Sequence, residues 1–344
     1  MNIRILFDGR WIRPDKPDGI TRYSRELIKA LRKKGIEIDL LVNSDAQAEN
    51  LDINKSITVP VPTKILSSKK ALAGILNRTP YNLYLCPHFL QLLHSTNTPS
   101  ALTCHDLTPW QYRSQSASRA WKMFHGSFYG LRTLLRKADY VLTVSNAAKK
   151  DLAIILPEAD IRVVYNGVAA NFYNVKPAKT KKQILYVGRY EEYKNVELAI
   201  AALKELPNYS LVCVGSISDE RKMQLAGERV HFVGVVNDTR YLELLSESHS
   251  LIMPSRAEGF GLPVVEAMAA GLPVICSNLD VFHEIGGNSL EYVITQDGSH
   301  YAQAIKKLED TSLRKQRISS ARMRSREFTW EKAAEAVLAL CTIE

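Results

Sequence analysis

The stretch PSRAEGFGLPVVEAMAAGLPVICSN, Pro254 to Asn278, sets two glutamates, Glu258 and Glu266, around a Gly-Phe-Gly-Leu-Pro elbow. Such an elbow is foreign to a helix interior, yet Pro263 suits a first turn, where its missing N–H costs nothing. The spacing predicts a helix from about Pro263 to Ala270, ended at Gly271, with Pro273 barring its continuation. PVICS (273–277) reads as a strand, as does SLIMPS (250–255) ahead of the elbow. Strand, loop, helix and strand in that order form a βαβ unit with its two strands parallel.

The same alternation runs along the whole chain. Strand-like runs in the first half are IRILF (3–7), IDLLV (38–42), ITVPV (57–61), LYLC (83–86), ALTC (101–104), YVLTV (140–144) and RVVY (162–165). ILYVG (184–188), LVCVG (211–215) and VHFVG (230–234) begin the second half. Between them lie amphipathic segments such as TRYSRELIKALRKKG and NVELAIAALKEL, with apolar residues at helical spacing. The expected fold class is therefore α/β, with two Rossmann-like, doubly wound domains facing each other across a cleft. We place them at 1–170 and 183–327, joined by a polar, lysine-rich linker at 171–182 that Pro177 interrupts. In such sheets ligands meet the loops at the carboxyl ends of the strands.

Charge and cysteine narrow the classes. Residues 1–170 carry 24 Lys/Arg against 14 Asp/Glu, a net of +10, while the remainder carries 21 against 22, a net of −1. That asymmetry suggests different partners for the two halves. Cys86, Cys104, Cys213, Cys276 and Cys341 are odd in number and lack metal spacing, so reduced thiols in a cytoplasmic protein are expected. The start MNIRILFDGR has no signal-peptide pattern, and no apolar run reaches the roughly 18 residues needed to span a bilayer. No aromatic-basic stacking motif stands out, so nucleic acid is not expected as a partner.

The elbow suggests its own chemistry. Backbone amides at Gly261 and Leu262 precede the helix and carry the positive end of its dipole, a place for an anion such as a phosphate. Gly259 and Gly261, on either side of Phe260, let a ligand approach the backbone. Ionised Glu258 and Glu266 are acceptors suited to sugar hydroxyls. Glu258-Gly259-Phe260-Gly261-Leu262 with Glu266 thus describes a site for a sugar nucleotide. A plainer reading has Glu266 complementing the helix dipole and Glu258 solvated in its loop.

EGFGLPVVEAMAAGLPVI resembles the E-x7-E signature of family 4 retaining glycosyltransferases, which have the GT-B fold. ILYVGRYEEYKN, TCHDLTP, YVLTVSNAAKKDL and VVYNGV resemble segments in the same order in that family, and the likeness runs from about residue 3 to residue 335. It implies that Arg189 and Lys194, in the loop after the first strand of the second half, neutralise the phosphates of the leaving nucleotide. Read bare, the two are a basic loop that Glu191 and Glu192 partly neutralise. The resemblance also implies that His105, after the strand ALTC, contacts the donor sugar near the reacting carbon, with Asp106 fixing the imidazole or the loop. Family members usually show two or more glycines before the first basic helix. This chain keeps Gly19, expected to approach the phosphates, and departs with Asp18 and Thr21, which leaves Asp18 an acceptor-side candidate. His88, in YLCPHFL, could line the acceptor side. VGVVND (233–238) resembles the segment that holds the nucleobase through its backbone, and FTWEKAAEAVLAL, within 328–344, the helix that crosses back to the first domain.

The expectation is thus a retaining, metal-independent hexosyltransferase. It would move a hexose from a nucleotide-diphosphate sugar, UDP-glucose slightly favoured and GDP-mannose compatible, to a glycan or lipid-linked acceptor. No cofactor is implied, and no D-x-D pair for a divalent metal occurs. The stretch 118–140 reads as a basic amphipathic helix, with Trp121, Phe124, Phe128, Leu131 and Leu135 near one face. It raises an anionic membrane surface as a partner and a peripheral position at the inner face of the membrane. The rivals are a sugar-nucleotide epimerase and a non-catalytic subunit of the same fold. A nicotinamide dehydrogenase is opposed by the absence of G-x-G-x-x-G after either first strand.

Overall fold

The computed structural model describes residues 3–14, 18–59, 66–90, 97–108, 128–176 and 181–342. Contacts gather into two compact units, Met1–Gly167 with Thr329–Glu344, and Val168–Phe328. The linker expected at 171–182 is in part structured: Ala170–Tyr173 is a helical turn of the second unit, Phe172 set edge-on against Tyr241.

The first unit has seven strands among the described residues. They are β1 (Arg4–Asp8), β2 (Glu37–Val42), β3 (Lys55–Thr58), β4 (Leu83–Cys86), β5 (Ser100–Thr103), β6 (Tyr140–Thr143) and β7 (Ile161–Val163), in the order β3-β2-β1-β4-β5-β6-β7. All pairings are parallel, with Ile5 of β1 opposite Ile38 on one side and Leu83 on the other. Parallel strands covered on both faces read as unbroken apolar runs, which is why IRILF and LYLC were legible. The helix Gly19–Lys33 starts at Asp18, whose side chain accepts from the Thr21 amide, and buries Tyr23, Leu27, Ile28 and Leu31 on one face. The terminal helix Trp330–Leu340 packs against it, with Lys34 donating to Glu335 at 2.7 Å.

Of the helix expected at 118–140, Phe128–Leu135 is seen, with Leu131 and Leu135 fully buried. Trp121 and Phe124 lie outside the described residues. Arg132 and Arg136 are paired with Glu158, at 2.9 and 3.3 Å. Among the described residues no helix is long and apolar enough to cross a membrane.

The second unit holds β8 (Gln183–Val187), β9 (Ser210–Val214), β10 (Val230–Gly234), β11 (Ser250–Met253), β12 (Val274–Ser277) and β13 (Glu291–Val293), ordered β10-β9-β8-β11-β12-β13 and parallel throughout. β13 had no counterpart in the strand reading, because three residues with two half-buried carry too little pattern. In both sheets the first strand of the unit lies between strands reached in opposite directions, β1 between β2 and β4, β8 between β9 and β11. That reversal is where doubly wound sheets open a crevice for ligands.

Candidate active site

At the reversal of the second unit, the loops after β8 and β11 meet. The strand ends pack closely: Gly188 donates to the Val214 carbonyl at 3.0 Å, and a Cβ on Gly215, at φ +143°, would lie 2.0 Å from the Gly188 carbonyl oxygen. The chain then turns through a short 3-10 helix, Glu192–Lys194, and leaves it through Asn195 in the left-handed region at φ 54°. Asn195 is buried and donates to Gln296 at 2.8 Å, which holds the turn.

This turn aims Lys194 at the elbow. Its ammonium donates to Glu258 Oε1 at 2.7 Å, and Ser255 Oγ donates to the same oxygen at 2.8 Å. The two side chains are only 15% and 8% exposed, so the pair is well screened from water. Arg189 is 66% exposed and lies 3.1 Å from Glu191, with a further bond to the Tyr193 hydroxyl at 2.9 Å. The neutralising role read for Glu191 is therefore present in the geometry.

The elbow itself follows the predicted pattern. The helix runs Leu262–Ala270 with Gly261 as its N-cap at φ 93° and Gly271 as its C-cap at φ 79°. Gly261 is required twice over, since a Cβ there would also lie 2.9 Å from the Phe282 ring. Gly259 and Phe260 are buried, Phe260 edge-on to Phe328, while Leu262 is partly exposed. Glu266 is 3% exposed and accepts from the Tyr241 hydroxyl at 2.9 Å. That bond comes from the helix Asp238–Glu247 and fixes the carboxylate one turn into its own helix.

In the first unit, His105 follows β5 and its Nε2 lies 3.0 Å from the Pro87 carbonyl, after β4. A carbonyl only accepts, so Nε2 carries the hydrogen. Burial lowers the His105 pKa, with the Pro87 bond and the charges of Asp106 and Asp18 acting the other way. The neutral ring therefore presents Nδ1 as an acceptor. Asp106 holds the loop rather than the imidazole, accepting from the Thr108 amide at 2.9 Å. Asp18 is spent as a helix cap and lies 3.3 Å from Arg13, so it is part of the frame around Gly19, the exposed first residue of the helix. His88 stacks flat on Trp11, centroids 3.9 Å apart at 6°, and accepts from the Leu90 amide through Nδ1.

Four residues escaped the sequence reading: Tyr193, Ser255, Tyr241 and Trp11. Ser255 could have been found from its place three before Glu258. The aromatic residues carry no signal of their own, because rings are common in cores.

Among solved structures, sucrose-phosphate synthase of Thermosynechococcus elongatus superposes with a TM-score of 0.77 at 22% identity, covering 98% of both chains. Anabaena Alr3699/HepE, solved with UDP and glucose, superposes at 0.76 and 18%, covering 99% of this chain and 100% of that one. At those identities the likeness shows the fold, and the class is a GT-B glycosyltransferase fold. Two family models then match consecutive stretches, Glycosyltransferase Family 4 over residues 17–172 and Glycosyl transferases group 1 over 170–324. The chain belongs to this family of glycosyltransferases. A curated relative, the O-antigen chain mannosyltransferase RfbU of Salmonella typhimurium, is 27% identical over 318 residues, covering 85% of this chain and 87% of the relative.

Proposed function

We propose that the chain is a retaining hexosyltransferase that draws on a nucleotide-diphosphate sugar and delivers to a glycan or lipid-linked acceptor. The observation that carries this is the Lys194–Glu258 pair at the β8/β11 reversal, set beside the capped elbow. On this reading Arg189 and Lys194 meet the diphosphate, Gly259 to Leu262 lend backbone to it, Glu258 orients the hexose and Glu266 the ribose. Cations fixed where the leaving diphosphate gains charge act on the transition state more than on the ground state. They take the part that a divalent ion bound by a D-x-D pair plays in other transferases, a motif this sequence lacks.

In the reaction the bond from the anomeric carbon to the diphosphate oxygen breaks, and the acceptor oxygen bonds to that carbon on the same face. Its proton passes to the departing phosphate, which leaves as the nucleoside diphosphate. His105 accepts a hydroxyl of the reacting sugar at Nδ1, a bond available only while the ring is neutral. The relative's name favours a mannose-bearing donor, and the neighbour's bound ligands favour UDP-glucose. Thermal shift against a panel of nucleotide sugars decides between them: one donor should raise Tm by several degrees. A panel in which none shifts Tm and none is turned over would sink the proposal.

A further inference from the structure

One side chain in the candidate site touches both cations. The Tyr193 hydroxyl accepts from the Arg189 guanidinium at 2.9 Å, and the Lys194 ammonium lies 5.2 Å from the centre of the same ring. Its carbonyl accepts the Arg256 amide at 2.7 Å, which ties the turn after β8 to the loop that carries Glu258. Arg189 and Lys194 are long side chains rich in rotamers, and Arg189 is mostly exposed. Glu191 draws Arg189 toward a carboxylate, 3.1 Å away, whereas the Tyr193 hydroxyl gives it a neutral anchor. The ring offers Lys194 an electron-rich surface beside its bond to Glu258.

We infer that Tyr193 is a positioning residue, holding Arg189 and Lys194 at the spacing in which both meet a diphosphate. The inference rests on the reading of those cations given above, and it explains why an aromatic residue stands inside an otherwise charged loop, EEYKN. Tyr193 touches no reacting atom. It acts by limiting where two cations can be when the nucleotide arrives, so its effect should follow the number of phosphates and not the base.

The test uses the full chain with UDP, UMP, GDP and GMP as calorimetric probes, against Tyr193→Phe and Tyr193→Leu. For whichever base binds, Tyr193→Phe should weaken the diphosphate by about 3- to 10-fold, the loss of one hydrogen bond, and leave the monophosphate unchanged. Tyr193→Leu, which also removes the ring under Lys194, should weaken it by about 10- to 30-fold and lower kcat. In an Arg189→Ala background Tyr193→Phe should add nothing, because the group it positions is gone. Equal losses for mono- and diphosphate, or full additivity with Arg189→Ala, overturn the inference. If Arg189→Ala and Lys194→Ala themselves leave diphosphate binding intact, the reading of the site fails instead, and the two failures are distinct.

Discussion

The two units share a plan and use it oppositely. In each, the first strand marks the reversal of the sheet, and the loops after that strand and the fourth face the same crevice position. In the second unit those loops carry Lys194 and Glu258, an ion pair mostly screened from water. In the first unit the corresponding charges, Asp8 and Arg10, are turned inward. Arg10 donates to both Asp8 oxygens, at 2.8 and 2.6 Å, Tyr84 donates to the same carboxylate at 2.7 Å, and both charged side chains are wholly buried. Burial is the largest influence and works against the Arg10 charge. The Asp8 hydrogen bond and charge, helped by Tyr84 and Cys86, together outweigh it and raise the pKa. Trp11 stacks on His88 there, both partly exposed, and further along the same loop Arg13 pairs with Asp18 at 3.3 Å. Beside its first strand one reversal presents the Lys194–Glu258 pair and the other a stacked pair of rings, so topology sets where a ligand can bind and side chains set which.

The comparison breaks most sharply at Lys194. Lys194→Ala should cut turnover by about 10²- to 10³-fold, the usual cost of losing one charge-stabilising donor. It should also cost about 3 kcal/mol of stability, since Glu258 is left buried without its partner. Adding Glu258→Gln should restore much of the stability, read by chemical denaturation, and none of the transfer. Turnover that recovers with stability would show the pair to be framework only.

Arg10→Met should produce the opposite profile. Stranding Asp8 costs about 3–5 kcal/mol, yet nucleotide affinity, measured in calorimetry on the folded fraction, should stay within twofold. A tenfold loss of nucleotide affinity would erase the proposed division of labour.

Each unit also encloses a neutral histidine. His249, against Tyr209 in the second unit, has its pKa lowered to about 4 by burial and by Arg314, with Glu309 opposing. The unfolded chain protonates near pH 6.5 and the folded one near 4, so between those values the unfolded state binds more protons. Stability is therefore full above pH 6.5 and falls as pH drops toward 4, by up to about 3 kcal/mol from this residue. His105 shifts in the same direction. Denaturation midpoints at pH 7 and pH 4.5 should differ accordingly, and His249→Gln should flatten the slope. An unchanged slope would assign the pH effect elsewhere.

How much of this was legible follows from burial. Strands covered on both faces announce themselves as apolar runs, and the elbow's glycines and Pro263 announce their turn, so the sheets and the Glu258–Glu266 segment could be read directly. Asp8 and Arg10 could not, because a charged pair at a strand end looks solvated until the partner Tyr84, 76 residues away, is known. Asp18 was ambiguous for a related reason: a carboxylate before a helix serves equally as a cap or as a ligand, and its bond from the Thr21 amide is seen only in the structure. Tyr193 was invisible because its meaning lies in three contacts that no spacing encodes.

Trp11 offers the finest test of the contrast. Its backbone is pinned on both sides, since Gln47 Nε2 donates to the carbonyls of Arg10 and Ile12, each at 3.0 Å. The indole is partly exposed, is backed by His88, and its buried Nε1–H has no acceptor among the described residues. A rigid ring with an open part suits the apolar face of a pyranose, which is what an acceptor glycan would offer there. Trp11→Ala should therefore raise the acceptor KM by about tenfold, or 1.4 kcal/mol, while donor affinity holds. Trp11→Phe should recover most of the loss, because stacking needs a ring and not a nitrogen. If donor affinity falls in step with acceptor KM, the rings and the ions are not separate devices, and the first unit's reversal has no ligand of its own.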